Sequence, residues 1–255
     1  MALITEPGQL QAQAAQLADF CEQELNLAAA YLPQEYFYHS LSLCVIDAVY
    51  SIGVRYAGVR NVVHRYCVHF GLQEFRNSRE VVPPQDAQEP LSAFVQKIDT
   101  IGVERFAKEI FRNRQRTSSR NGILKSQAVL RFASTLNAHG VCFLQDVQSR
   151  ATDSKLEAAL RLIPGQTSGI SISYFFMLSG NEHLVKPDRW IGRFLARRLG
   201  VEPSPAEAQS LVVAACAILL AQYAHLTPRL LDYTIWSYER GRGGDFSSFP
   251  ASLGI

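Results

Sequence analysis

The chain has 255 residues, 47% of them apolar, with 25 Lys+Arg against 23 Asp+Glu. This composition excludes disordered, collagenous and low-complexity classes, and the length suits one large domain or two small lobes. The longest apolar run, Leu211–Ala221, is too short to cross a bilayer, so no membrane partner is expected.

From the N-terminus, Leu10, Ala14, Leu17, Cys21, Leu25 and Ala28 recur at alternating steps of four and three, which predicts one amphipathic helix of about five turns. Helical spacing then continues near 38–52, 56–70, 90–98, 101–111, 123–139, 153–162, 168–179 and 187–199. Ser204-Pro205-Ala206-Glu207 reads as a capping box with proline at the first helical position. Thr227-Pro228 opens a last helix carrying Leu230, Leu231, Ile235 and Trp236. Period-two alternation is missing, and Asn121-Gly122 reads as a loop before a helix rather than a hairpin. The expected class is all-α with about ten helices. Residues 76–90 read as a surface loop, and the Gly/Ser-rich end, 241–255, as a segment that frays or lies over the surface.

The first thirty residues hold no Lys or Arg and no compact apolar core, so no secretory leader is expected. Cys21, Cys44, Cys67, Cys142 and Cys216 stand apart, without a Cys-x-x-Cys pair, and read as reduced core thiols in a cytosolic protein. Residues 1–54 hold six acids and no Lys or Arg. Two basic stretches follow. Arg112, Arg114, Arg116, Arg120, Lys125 and Arg131 fall in an acid-free segment, and Lys186, Arg189, Arg193, Arg197 and Arg198 are offset only by Asp188. Such patches suit a polyanion or a solvated helix face.

Between Leu156 and Gly200 the residues carry more chemistry. A helix runs into Ile163-Pro164-Gly165-Gln166-Thr167-Ser168-Gly169, and another begins at Ile170. Spacing alone leaves two readings. It is an ordinary helix corner, or a hairpin that presents the free N–H groups of a helix N-terminus to a phosphate. Further on, Lys186-Pro187-Asp188 places a carboxylate at the start of a helix ending at Gly200. There, the helix dipole favours its anionic form, and capping is the ordinary use of such an Asp. His64-x-x-Cys67-x-His69 lacks a fourth partner for a metal, and a buried Asp47 would need a hydrogen-bond partner as a structural tie.

These residues resemble the helix–hairpin–helix DNA glycosylase superfamily, which includes endonuclease III and the adenine and alkyladenine glycosylases. The likeness lies in Ile163-Pro164-Gly165, the helix 170–179, and Asp188 opening the next helix. Val45–Ser51 is similar to the superfamily's early core helix, and Gly122–Val129 to the segment carrying its Ser-Lys-Ala element. The resemblance implies a two-lobed helical fold. Residues 38–180 would form a six-helix lobe ending in the helix–hairpin–helix (156–179), and 1–37 with 181–255 a second lobe carrying Asp188.

It also implies a monofunctional DNA N-glycosylase acting on double-stranded DNA with a damaged or modified base, cytoplasmic and nucleoid-associated if bacterial. Asp188 is then the catalytic residue. Gly165, Gln166, Thr167, Ser168, Gly169 and Lys125 are the phosphate-binding candidates, and Tyr174, Trp190, Arg55 and Tyr56 the pocket or wedge candidates. Four departures shape this expectation. Thr167 stands where the hairpin's second glycine is commonest, and Gly169 where bifunctional members carry a Schiff-base Lys. Gly53 occupies the usual wedge position, and the four-Cys cluster motif is missing after Asp188. No cofactor and no metal is expected. The rival readings are a non-catalytic helix–hairpin–helix DNA-binding protein and an all-α scaffold or partner-binding protein whose basic faces are simply solvated.

Overall fold

The structure, a computed structural model, describes residues 7–54, 56–200 and 202–242. Of the 241–255 segment expected to fray, the first two residues are helical, and 243–255 lie outside the described residues, as does the wedge candidate Arg55. Among the described residues the chain is helical and contains no strand. In chain order the helices are α1 (Pro7–Glu24), α2 (Leu41–Tyr50), α3 (Tyr56–Phe70), α4 (Leu91–Ile101), the short α5 (Val103–Arg105), α6 (Lys125–Ala138), α7 (Ser154–Arg161), α8 (Ile170–Leu178), α9 (Arg189–Leu199), α10 (Pro205–Leu219) and α11 (Pro228–Arg242). No helix among these residues is long and apolar enough to cross a membrane. The chain divides into two compact units, Met1–Leu32 with Glu182–Ile255, and Pro33–Asn181.

The Pro33–Asn181 unit is organised around α2. All ten of its residues are buried, because Leu-Ser-Leu-Cys-Val-Ile-Asp-Ala-Val-Tyr leaves no polar face to turn toward water. Helices α3, α6 and α8 pack against it. A buried helix must satisfy its polar groups internally. The Asp47 carboxylate accepts the Tyr38 hydroxyl at 2.8 Å, which is the structural tie the sequence demands of a buried Asp. At the C-terminal end of α2, where carbonyls run out of helical partners, the Lys125 ammonium donates to Tyr50 O at 3.0 Å and Ile52 O at 2.7 Å. Aromatic rings fill the surrounding core, with Tyr66 edge-on to Phe94 at 5.3 Å and Phe132 edge-on to Phe175 at 5.2 Å.

One local expectation needs correction, and two gain detail. The N-terminal helix stops at Glu24, so the predicted stripe loses its last members. Leu25 is buried, but the chain turns at Asn26, and Leu27 takes the inward place expected of Ala28. The 76–90 segment is pinned as well as exposed. Gln88 donates to Pro83 O at 2.6 Å and accepts Leu144 N–H at 3.1 Å, while Glu89 is buried against the Tyr66 hydroxyl and Lys97. Around Asn121-Gly122 the chain folds back on itself through one antiparallel bridge, Arg116 to Leu124. Thr117 N–H donates to Ile123 O at 2.9 Å and Lys125 N–H to Gln115 O at 2.8 Å. Gly122 permits that turn because a Cβ would lie 2.2 Å from Ser118 N.

In the other unit α1 packs along α10, and α9 along α11. Phe194 meets Phe20 at 5.1 Å and stands edge-on to Tyr238 at 6.0 Å. The capping box at α10 forms as written in the sequence: Glu207 Oε2 accepts Ser204 N–H at 2.8 Å and Ser204 Oγ accepts Glu207 N–H at 3.4 Å. Thr227 caps α11, its hydroxyl accepting Leu230 N–H at 3.1 Å.

Lys125 provides a test of this account. Replacing it with Met keeps the stem and strands the Tyr50 and Ile52 carbonyls, which lowers the unfolding free energy by roughly 2–4 kcal/mol. Burial lowers the Lys125 pKa from 10.5 to about 8. Between those values the unfolded chain holds the proton and the folded chain does not, so this group makes stability rise with pH. Urea titrations across that window will show the wild-type advantage over Lys125→Met growing with pH.

Candidate functional site

The hairpin between α7 and α8 is built by two left-handed glycines. Asp153 caps α7, accepting the N–H groups of Lys155 at 2.9 Å and Leu156 at 3.1 Å, and the chain leaves the helix at Leu162. Gly165 has φ +93° and Gly169 φ +77°, conformations that L side chains rarely adopt. Gly165 is also sterically closed, whereas Gly169 meets only the end of a flexible side chain. A Cβ on Gly165 would lie 2.6 Å from Thr117 Cβ, and one on Gly169 would lie 2.3 Å from an Arg161 guanidinium nitrogen. That guanidinium donates to Thr167 O at 2.7 Å and pairs with Glu157 at 2.8 Å, so it braces the hairpin. At position 169 the left-handed backbone strains any side chain, and a Cβ there would also have to displace the Arg161 guanidinium.

Within the hairpin the phosphate-binding candidates separate. Gly165, Thr167 and Ser168 are exposed, and Ser168 Oγ accepts Ile170 N–H at 3.4 Å at the mouth of α8. Gly169 is buried under Arg161 and serves as the N-cap. Gln166 is a correction. Its side chain is fully buried and takes the Ser171 hydroxyl, so it holds the turn to α8 and presents nothing to a ligand. Lys125 is a second correction. At 1% exposure, with its ammonium on two main-chain carbonyls, it tethers α2 instead of reaching a surface anion. Tyr174, at 6% exposure, offers no face for a base to stack on. Tyr56 opens α3, but its side chain lies outside the described residues.

Exposed cations flank the hairpin in the same unit. Arg112, Arg114, Arg116 and Arg120 all stand on the 112–122 loop, whose Thr117 is the residue packed under Gly165. Arg114 makes only a long, exposed pair with Glu104 at 3.4 Å, and Arg116 also donates to Gly122 O at 2.8 Å. With Lys108 and Glu109, Arg112 and Arg114 line an open groove of about 600 Å³. Burial and pairing thus remove Lys125 from the first basic stretch and leave its arginines facing solvent.

In the other unit, Asp188 is the N-cap of α9. Its Oδ1 accepts Trp190 N–H at 2.8 Å and Ile191 N–H at 3.4 Å, and its backbone is extended at the cap. Gly200 closes the same helix in the left-handed conformation, as the sequence requires. Trp190 is half-buried, with the Arg189 and Arg193 guanidinium carbons 5.0 and 5.1 Å from its ring centroid. Arg197 is paired with Glu239, so the exposed charge of this stretch rests mainly on Arg189, Arg193 and Arg198.

Reasoning from the sequence missed Asp232. It is buried on α11 and accepts Lys186 N–H at 3.1 Å. Burial and then the charge of Asp188 push its carboxyl well above the usual carboxylate range. An acid at that point of an amphipathic helix carries no local signal, since its partners are distant in sequence.

The raised Asp232 carboxyl has a stability consequence. Above the ordinary value of 3.8 the unfolded chain loses this proton while the folded chain keeps it, so its contribution to stability falls as pH rises through the folded value. Asp232→Asn removes that loss. Its melting temperature relative to wild type will climb from acid toward neutral pH, and thermal melts across the range read the difference directly.

No curated protein and no solved structure matches the chain. A family model described as a domain of unknown function, DUF8548, matches residues 15–240, and the protein belongs to that family.

Proposed function

We propose that the protein is a monofunctional DNA N-glycosylase with a two-lobed helix–hairpin–helix fold, acting on duplex DNA that carries a damaged or modified base. The observation that supports this most directly is the α7–α8 hairpin. Two left-handed glycines tighten it, Thr167 and Ser168 are exposed in it, and the loop packed against it through Thr117 carries four exposed arginines. A helix N-terminus and a cluster of exposed guanidiniums suit a polyanion with closely spaced phosphates.

In the proposed reaction the target nucleotide leaves the stack, because its glycosidic bond is out of reach inside the duplex. The bond from the sugar carbon to the base nitrogen breaks, and its electron pair departs with the base. The Asp188 carboxylate faces the positive charge that develops on the sugar and orients a water molecule whose oxygen closes on that carbon. One proton of the water passes through Asp188 to the departing base, leaving a hydroxylated abasic sugar and an intact strand. Gly169 supports water as the nucleophile, since this position has no side chain and so carries no amine.

Duplexes each carrying one deaminated, alkylated or oxidised base, scored for strand breaks after alkali, test this reading. Asp188→Asn still accepts the cap hydrogen bonds, so the fold and duplex affinity should persist while base release falls roughly 10²–10⁴-fold. Borohydride added during turnover should trap no protein–DNA adduct. Equal release by Asp188→Asn would reduce Asp188 to a cap, and failure of wild type to release any base while still binding duplex would leave a DNA-binding module. Affinity should also fall with salt at a log–log slope of about −0.9 per neutralised phosphate. Arg→Ala at 112, 114, 116 or 120 should flatten that slope wherever the side chain touches DNA.

A further inference from the structure

Asp232 is held by contacts that the proposed chemistry does not use. Its Oδ1 accepts Lys186 N–H at 3.1 Å, and the Lys186 carbonyl in turn accepts Asp188 N–H at 2.7 Å. That second bond closes a three-residue turn centred on Pro187, whose ring restricts φ. Both main-chain polar groups of Lys186 are therefore engaged, one by α11 and one by the residue that caps α9. From the turn, the Asp188 carboxylate reaches Trp190 N–H at 2.8 Å. A continuous line of hydrogen bonds thus runs from α11 through Asp232, the Lys186 peptide and Asp188 into the first turn of α9, all within one unit.

The geometry points to Asp232 as a positioning residue for Asp188: by holding the Lys186 peptide it fixes the turn from which the Asp188 carboxylate is presented to the sugar. The inference rests on the base-excision role proposed for Asp188. A positioned group loses most of its effect when displaced by an ångström, so a tether two residues away is felt in the rate. The charged groups facing Asp232 are Asp188 and Lys186 of the turn and Arg229 on its own helix, the last already paired with Glu182 at 2.7 Å. Burial and the neighbouring Asp188 favour the protonated form of Asp232. In that form it holds the Lys186 N–H without adding a second negative charge beside Asp188.

The test compares Asp232→Asn, which keeps a neutral acceptor, with Asp232→Ala, which removes it. Asp232→Leu fills the volume without an acceptor and replaces Ala if Ala does not fold. Single-turnover base release should fall about 10–100-fold in Ala or Leu, with duplex affinity changed less than about twofold, and Asn should restore the rate to within about threefold of wild type. Hydrogen exchange at the Lys186 amide, measured on the full chain without DNA, should lose its protection in Ala or Leu and keep it in Asn. Wild-type rates in Ala or Leu, or an Asn variant as slow as Ala, overturn the positioning role. If wild type releases no base from any duplex, the excision reading fails, and the amide exchange alone decides the tether: equal protection in all variants removes it.

Discussion

A helix with no polar face imposes its terms on everything around it. Because α2 is buried along its whole length, its neighbours supply what water cannot, both apolar contact and partners for its few polar groups. Lys125 shows how demanding that is. The ammonium lies at the carboxyl end of the helix, where the dipole and two unpartnered carbonyls favour a cation, yet burial still lowers its pKa. Lys125 also begins α6, so one side chain sets the start of one helix against the end of another. Leu124 and Gln115, next to it in space, close the turn that carries the exposed arginines. The basic loop is thereby anchored to the core rather than left to wander.

That anchoring bears on the hairpin. Thr117 occupies the space a side chain at position 165 would need, and Arg161 the space at position 169. Two glycines, each with positive φ, are the residues that let the loop and the braced turn come so close. The arginine that fills the second space spends its charge on Glu157 and on a carbonyl, whereas those of the 112–122 loop keep theirs toward solvent. Cations of one unit are thus divided between bracing and display by what each one touches.

The proposed function would give the Asp188 carboxylate a second use beside capping. As a cap it stabilises α9 by about 1 kcal/mol, the ordinary value for such a residue. Its Oδ1 makes both cap bonds, and an N-terminal helical turn would be a rigid mount for the carboxylate in the proposed reaction. The buried Asp232 and the turn at Pro187 hold the approach to that mount, which makes the cap part of a longer hydrogen-bonded line than helix stability alone requires.

Local sequence was enough to determine the all-helical class and most helix limits. The 3.6-residue spacing, the Ser204–Glu207 box, Thr227-Pro228 and the Gly200 stop are signals that act within a few residues. The same locality identified Asp188 as a cap and the 163–169 stretch as a turn between helices. Tertiary structure decided the rest, because burial and partnership depend on residues far apart in the chain. Lys125 is 75 positions from Tyr50, and Asp232 is 46 from Lys186. Nothing in the local pattern separates a lysine that faces solvent from one that caps another helix, or a glutamine that reads a phosphate from one that pins its own turn. Those assignments follow from which side of the backbone the core occupies, and only the packed fold determines that side.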